Sequence, residues 1–246
     1  MQENSALGRA LAVVRDLRNR CPWDRVQTRE TLRPYLVEEV LELDAALREN
    51  DRAKIREEMG DFLLHLAWQL VLAEEAGEFT PDDAADDLER KMRRRHPHLY
   101  DEGPPQPWEQ LKRKERSGGI FEGLPSTLPA LAMAYRLQQR AASVGFDWPD
   151  TSGPAEKVRE ELAEVEAELA APGDQLADEI GDLLFAVVNL ARKAKVDPGL
   201  ALDRANLKFS RRFGELERMA AEKGLEVDRM GLEKLDELWD QVKSEE

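Results

Sequence analysis

Residues 157–182 read KVREELAEVEAELAAPGDQLADEIGD, and the acids in this stretch decide how the chain folds. Glu161 and Glu164 precede Pro172-Gly173, and Glu179 and Asp182 follow it. Residues three apart share one helix face, so each acidic pair points one way. The spacing is also mirrored: 161 and 182 are equidistant from the turn, and so are 164 and 179. A turn at Pro172-Gly173 that makes an antiparallel helical hairpin sets Glu161 against Asp182 and Glu164 against Glu179. Four carboxylates then converge, and like charges that close protonate or splay unless a cation holds them. An all-oxygen set suits Mg²⁺, or Mn²⁺.

The pattern occurs twice. EEVLELDAALRENDRAKIREEMGDFLLHLA in the first half parallels EELAEVEAELAAPGDQLADEIGDLLFAVV in the second. Glu39 and Glu42 correspond to Glu161 and Glu164, and Glu58 and Asp61 to Glu179 and Asp182. The first set is mirrored about residue 50. KMRRR at 91–95 matches KFSRR at 208–212, and CPWD at 21–24 loosely matches GFDW at 145–148. We read an all-α chain built by tandem duplication, with repeats at 1–103 and 126–246 joined by a linker, 104–125. The linker is marked by GPPQP and SGGIFEGLP.

Helical periodicity supports this along nearly the whole chain. Helices are expected at about 5–19, with Ser5 as cap, then 31–49, 52–76 and 81–95. Asn50-Asp51 and Gly77 mark breaks, and CPWDRVQT reads as a loop. The second half should hold helices at about 127–143, 155–170, 174–195, 198–222 and 231–244.

Composition narrows the function. Lys and Arg number 36 against 51 Asp and Glu, a formal charge of −15, which opposes binding to nucleic-acid backbones. A lone cysteine, Cys21, suits a reducing cytosol and a small buried side chain. No apolar run reaches a membrane span and no signal segment is evident, so a cytoplasmic protein is expected.

Acids on helices are usually only solvated, but Gly60 and Gly181 lie inside strong helices, where glycine costs about 1 kcal/mol against alanine. Close approach of a neighbour would explain them. Apolar Leu63, Leu64, Leu183, Leu184 and Phe185 beside the acids suggest a buried stripe. A di-iron bundle would need Glu-x-x-His pairs, and neither hairpin has one. We read His65, whose counterpart is Ala186, as packed or partly exposed, and His96 and His98 as capping or loop groups. Lys157 lies one turn before Glu161, and Lys208 and Arg212 share a face of a later helix. Together with a metal they would neutralise a triphosphate; salt bridges are the alternative, which we take for Lys193 and Arg211. The first half carries Tyr35 and Trp68 where the second has Lys157 and Asn189, so the second half is expected to be the active one.

CPWDRVQT, EEVLEL, EEMGDFL and RRHPHLY, with VGFDW, EELAEVEAE, DEIGDLLFAVVNLAR and NLKFSRRF, resemble the MazG-type nucleoside triphosphate pyrophosphohydrolases across nearly the whole chain. The resemblance implies the all-α NTP-pyrophosphatase helical bundle, Mg²⁺ dependence, a homodimer, and conversion of NTPs or dNTPs to monophosphate and pyrophosphate. It assigns metal binding to Glu161, Glu164, Glu179 and Asp182, and nucleotide contacts to Lys157, Lys208, Arg212 and Trp239; Asn189, the counterpart of Trp68, joins the expected substrate-binding set from the comparison of the halves. A second metal set would be Glu39, Glu42, Glu58 and Asp61. Glu160, beside Glu161 on the helix, is the expected group to orient or deprotonate water. Trp239 either stacks on a base, giving broad base tolerance, or is a buried tryptophan of the last helix. The rival readings are a nucleotide- or metal-sensing helical module without turnover, and a scaffold whose acids only solvate it.

Overall fold

The computed structural model describes residues 5–100, 103–106, 108–115, 118–170 and 175–244, and every regular element among them is helical. The chain divides into two compact units, Met1–Pro105 and Gln106–Glu246.

The first unit holds α1 (Ala6–Arg20), α2 (Pro22–Arg25), α3 (Arg29–Glu49), α4 (Arg52–Glu75), α5 (Pro81–Arg95) and α6 (Pro97–Tyr100). Ser5 caps α1 by accepting from the Gly8 amide at 3.0 Å. CPWDRVQT is not all loop. Pro22, whose ring presets a helical φ, starts the single turn α2. Arg18 Nη1 then pins the chain beyond it by donating to the carbonyls of Asp24, Arg25 and Gln27 at 2.9, 3.0 and 2.8 Å. Thr28 and Thr31 form a reciprocal cap on α3, and Thr80 and Asp83 do so on α5. Between α3 and α4 the reversal needs only two residues. Asn50 takes the left-handed conformation (φ 54°), and the Asp51 carboxylate caps α4 by accepting from the Ala53 and Lys54 amides. The hairpin so formed packs on α1 through Leu11, Val14, Leu32, Ala67, Trp68 and Val71. Burying each larger side chain there stabilises the unit by about 1.5–3 kcal/mol.

The second unit holds α7 (Trp108–Lys114), α8 (Ala130–Ala142), α9 (Ser152–Ala170), α10 (Leu176–Lys193), α11 (Pro198–Glu222), a 3₁₀ turn (Val227–Arg229) and α12 (Leu232–Ser244). Here α9 pairs with α10, α8 packs on α10, and α11 packs on α12 around Leu216, Ala220, Leu238 and Val242. The expected turn at Pro172-Gly173 lies outside the described residues.

Four further expectations change. The segment read as linker contains α7, and residues 120–122 are held to α8 because Arg140 Nη1 donates to the carbonyls of Ile120 and Glu122 at 3.1 and 2.6 Å. Among the described residues, Gly60 and Gly181 are not sites of close approach: a Cβ at either would meet nothing within 4 Å. The apolar stripe beside Asp182 is not buried within its unit, since Leu184 and Phe185 are 54% and 43% exposed. Cys21 is half-buried rather than buried.

Candidate active site

Both hairpins bring acids together. In the first unit, carboxylate oxygens of Glu39, Glu58 and Asp61 lie within 4.8 Å of one another, and Glu42 shares a hydrogen bond with Glu58. Glu39 and Glu58 both have pKa values raised, first by loss of hydration and then by the neighbouring carboxylates. His65 is packed, as one branch of the sequence reading had it: it is 6% exposed, and its Nε2 stands 3.9 Å from Glu39. Burial lowers its pKa.

In the second unit, the oxygens of Glu161, Glu164 and Glu179 form the corresponding group within 4.8 Å. Such a group of oxygens could hold a metal ion. Glu161 is the buried member, 5% exposed, and Lys157 Nζ stands 2.6 Å from its Oε1. The ammonium, acting first through this hydrogen bond, holds the Glu161 carboxyl below its ordinary range. Glu164 moves the other way, raised first by its hydrogen bond to Glu161. Asp182 stands outside this close group but lines a cavity together with Glu161 and Lys157.

That cavity, of about 530 Å³, is the feature the sequence did not announce. Phe121, Phe146, Trp148 and Phe185 form much of its wall, with Gln138 and Asn189 among them. The loop carrying Phe146 and Trp148 is tied to the end of α10. Asp147 accepts from Arg192 Nη2 at 2.5 Å and from Lys193 Nζ at 3.0 Å, as the salt-bridge reading of Lys193 required. Two hydrogen bonds, from Arg192 first and Lys193 next, lower the pKa of Asp147. Gly153 is needed here, because a Cβ would fall 2.0 Å from the Trp148 ring.

The other expected residues are distributed differently. Asn189 lines the cavity, and its Oδ1 accepts from Arg192 Nε at 2.9 Å. Glu160 is more than half exposed, and its carboxylate accepts from Lys157 Nζ at 2.9 Å. Lys208, Arg212 and Trp239 are not among the cavity-lining residues. Trp239 packs against the α11–α12 core, its ring 5.3 Å from that of Phe209. His96 closes α5, its Nδ1 lying 2.7 Å from the Met92 carbonyl.

Comparison with known proteins agrees with this architecture. The family model described as the MazG nucleotide pyrophosphohydrolase domain matches residues 27–100. The nucleoside triphosphate pyrophosphohydrolase/pyrophosphatase MazG of Thermotoga maritima is 43% identical, over 91% of this chain and 89% of its own length. The chain belongs to the MazG family. The nucleoside triphosphate pyrophosphohydrolase of Escherichia coli K12 is 40% identical over 95% of this chain and 94% of its length. Bacillus subtilis YabN is 42% identical over 96% of this chain but only 51% of its own length. The MazG model falls on α3 and α4 with the first acidic set, whereas the cavity belongs to the second unit. Among the described residues no helix is long and apolar enough to cross a membrane.

The sequence reading missed Gln138, Phe146, Asp147, Trp148 and Arg192. The available signal is VGFDW, an aromatic-acid cluster just beyond α8, which carries part of the repeat and of the family resemblance but by itself points to no pocket.

Proposed function

We propose that this MazG pyrophosphohydrolase works in its second unit, hydrolysing NTPs or dNTPs between the α- and β-phosphates to give a nucleoside monophosphate and pyrophosphate. The carrying observation is that Glu161, the buried member of an acidic group suited to a divalent cation, lines the same cavity as an aromatic wall suited to a base. Glu161, Glu164, Glu179 and Asp182 are the proposed ligands of Mg²⁺, with Mn²⁺ as the alternative. A divalent ion held there offsets phosphate charge and lowers the pKa of a bound water.

Lys157 already lies on the cavity rim with its charge on Glu161, from which it can turn to a phosphate oxygen as charge develops. We reassign Glu160 from proton acceptor to positioning group, because its carboxylate bonds Lys157 at the exposed side of the acids. The proton of the attacking water then falls to an acid of the quartet. Rings at 121, 146, 148 and 185 present apolar faces that every base can stack on, which supports broad base tolerance. Trp239 is assigned to the α11–α12 core, where it already has partners.

The first unit is assigned a metal site at Glu39, Glu42, Glu58 and Asp61 with little or no turnover. Tyr35 stands there in place of Lys157, and Trp68, the counterpart of Asn189, fills the core at 3% exposed. The matching acid sets support a tandem duplication. Exposed Leu162, Leu169, Leu184 and Val187 on α9 and α10 support a homodimer, in which Lys208 and Arg212 would meet the triphosphate of the other copy.

Product analysis with a panel of NTPs and dNTPs tests the reaction. Monophosphate plus pyrophosphate is expected, lost by at least a hundredfold in Glu161→Gln and kept within a few-fold in Glu58→Gln. Diphosphate plus orthophosphate would overturn the reaction, binding without product would favour a sensing module, and an inert Glu58→Gln would overturn the division between units.

A further inference from the structure

Arg140 is a cation buried inside the second unit. It is 7% exposed and stands on α8, the helix that also gives the cavity Leu137, Gln138 and Ala141. Arginine keeps its charge and can only donate, so a buried guanidinium needs acceptors. Two of these acceptors lie outside both repeats as the sequence divides them. One nitrogen, Nη1, donates to the carbonyls of Ile120 and Glu122 at 3.1 and 2.6 Å, the residues on either side of Phe121. The Phe121 carbonyl turns elsewhere, accepting from the Leu124 amide at 3.4 Å, and the Glu122 amide donates to the Gly119 carbonyl at 3.0 Å. Gly123 takes the left-handed conformation (φ 72°) that side chains disfavour, which tightens the strap formed by residues 119–124. A single side chain on α8 therefore grips the backbone on both sides of one ring. That ring lines the cavity beside Ile120 and is still 48% exposed. Its position owes more to the gripped backbone than to packing, and its open apolar surface is left for a ligand to cover.

We propose that the segment between the repeats is part of the nucleotide site, and that Arg140 is its positioning residue, setting the Phe121 ring against the base without touching the ligand. The inference rests on the assignment of this cavity to the base. Strap and acids come from different parts of the unit: Ile120 and Phe121 precede α8, while Glu161, Glu164 and Glu179 stand on α9 and α10. Freeing the strap removes a stacking partner and leaves the metal ligands in place. Base affinity then depends in part on residues that neither copy of the duplicated hairpin supplies.

The test is a double-mutant cycle on the full chain. It is read by calorimetric binding of the hydrolysis-resistant α,β-methylene adenosine triphosphate with Mg²⁺, and by Mn²⁺ affinity from electron paramagnetic resonance. Phe121→Ala removes the ring, and Arg140→Met keeps an unbranched stem but donates to neither carbonyl. Each is expected to weaken the nucleotide about tenfold, the loss of one stacked ring. The double variant should bind within about twofold of either single one, because a freed strap has no ring left to misplace. Mn²⁺ affinity should stay within about twofold in all four proteins, since the acids are not touched. Losses that multiply to about a hundredfold in the double variant overturn the positioning role, because independent effects add in free energy. Unaltered nucleotide affinity in Arg140→Met overturns it too, as does Mn²⁺ affinity that falls together with nucleotide affinity. If Arg140→Met fails to fold, Arg140→Lys, which keeps the buried charge on a shorter stem, takes its place in the cycle with the same deciding outcomes. Phe121→Ala with unaltered affinity overturns the inference and leaves the cavity assignment standing, whereas an unaltered protein that binds Mn²⁺ but no nucleotide overturns both.

Discussion

Replacing Asp147 by Asn tests what holds the aromatic wall. The side chain keeps its shape but loses the charge that Arg192 and Lys193 share, and those cations are only 11% and 17% exposed against 23% for Asp147. Removing one partner of a fully buried pair costs about 3–5 kcal/mol, and an exposed pair is worth about 0–1 kcal/mol. With exposures between those limits, a loss of about 2–3 kcal/mol is expected. For a unit of this size each kcal/mol moves Tm by about 2–4 °C, so a fall of about 4–12 °C should appear in calorimetry at pH 7. The pH dependence carries the sharper check. Asp147 has its pKa lowered in the fold from an ordinary 3.8, so its stabilisation is present above that value and is lost as pH falls through the lower folded value. The gap between wild type and Asp147→Asn should therefore be full at pH 7 and close in strongly acid solution. A gap that is absent at pH 7, or that stays constant down to pH 2, would refute the ion-pair account of this loop.

Three further outcomes are expected. Lys157→Met removes the hydrogen bond that lowers the Glu161 carboxyl, so protons should compete with Mg²⁺ at higher pH; a Mg²⁺-binding titration whose acid limb does not move upward would contradict this. Asn189→Trp copies the first unit's Trp68 and should fill the cavity, weakening nucleotide binding at least tenfold while Mn²⁺ affinity, followed by electron paramagnetic resonance, stays within twofold. Trp239→Ala should lower Tm through lost packing worth about 2–4 kcal/mol and leave nucleotide affinity within twofold, and a large affinity loss at unchanged Tm would return Trp239 to the base.

The sequence by itself determined the elements and the acidic sets. Caps such as Ser5, Thr28, Thr80 and Asp197 and breaks at Asn50 and Gly77 act within a turn or two, so their meaning is local and legible. Mirrored spacing about each reversal is likewise local arithmetic on a hairpin, which is why Glu39 with Asp61 and Glu164 with Glu179 could be paired on paper. Only the tertiary structure decided the cavity. Its wall joins residues 120–121, α8, the 146–148 loop, α9 and α10, stretches separated by up to some seventy positions, and no spacing rule connects them. Which face of an amphipathic helix meets which neighbour depends on packing across the whole unit, so Gln138 and Asp147 looked like ordinary polar residues in the chain. The same dependence explains the glycines: a helix interior announces the cost of Gly60 and Gly181, but only the surrounding space reveals that none of the described residues crowds them.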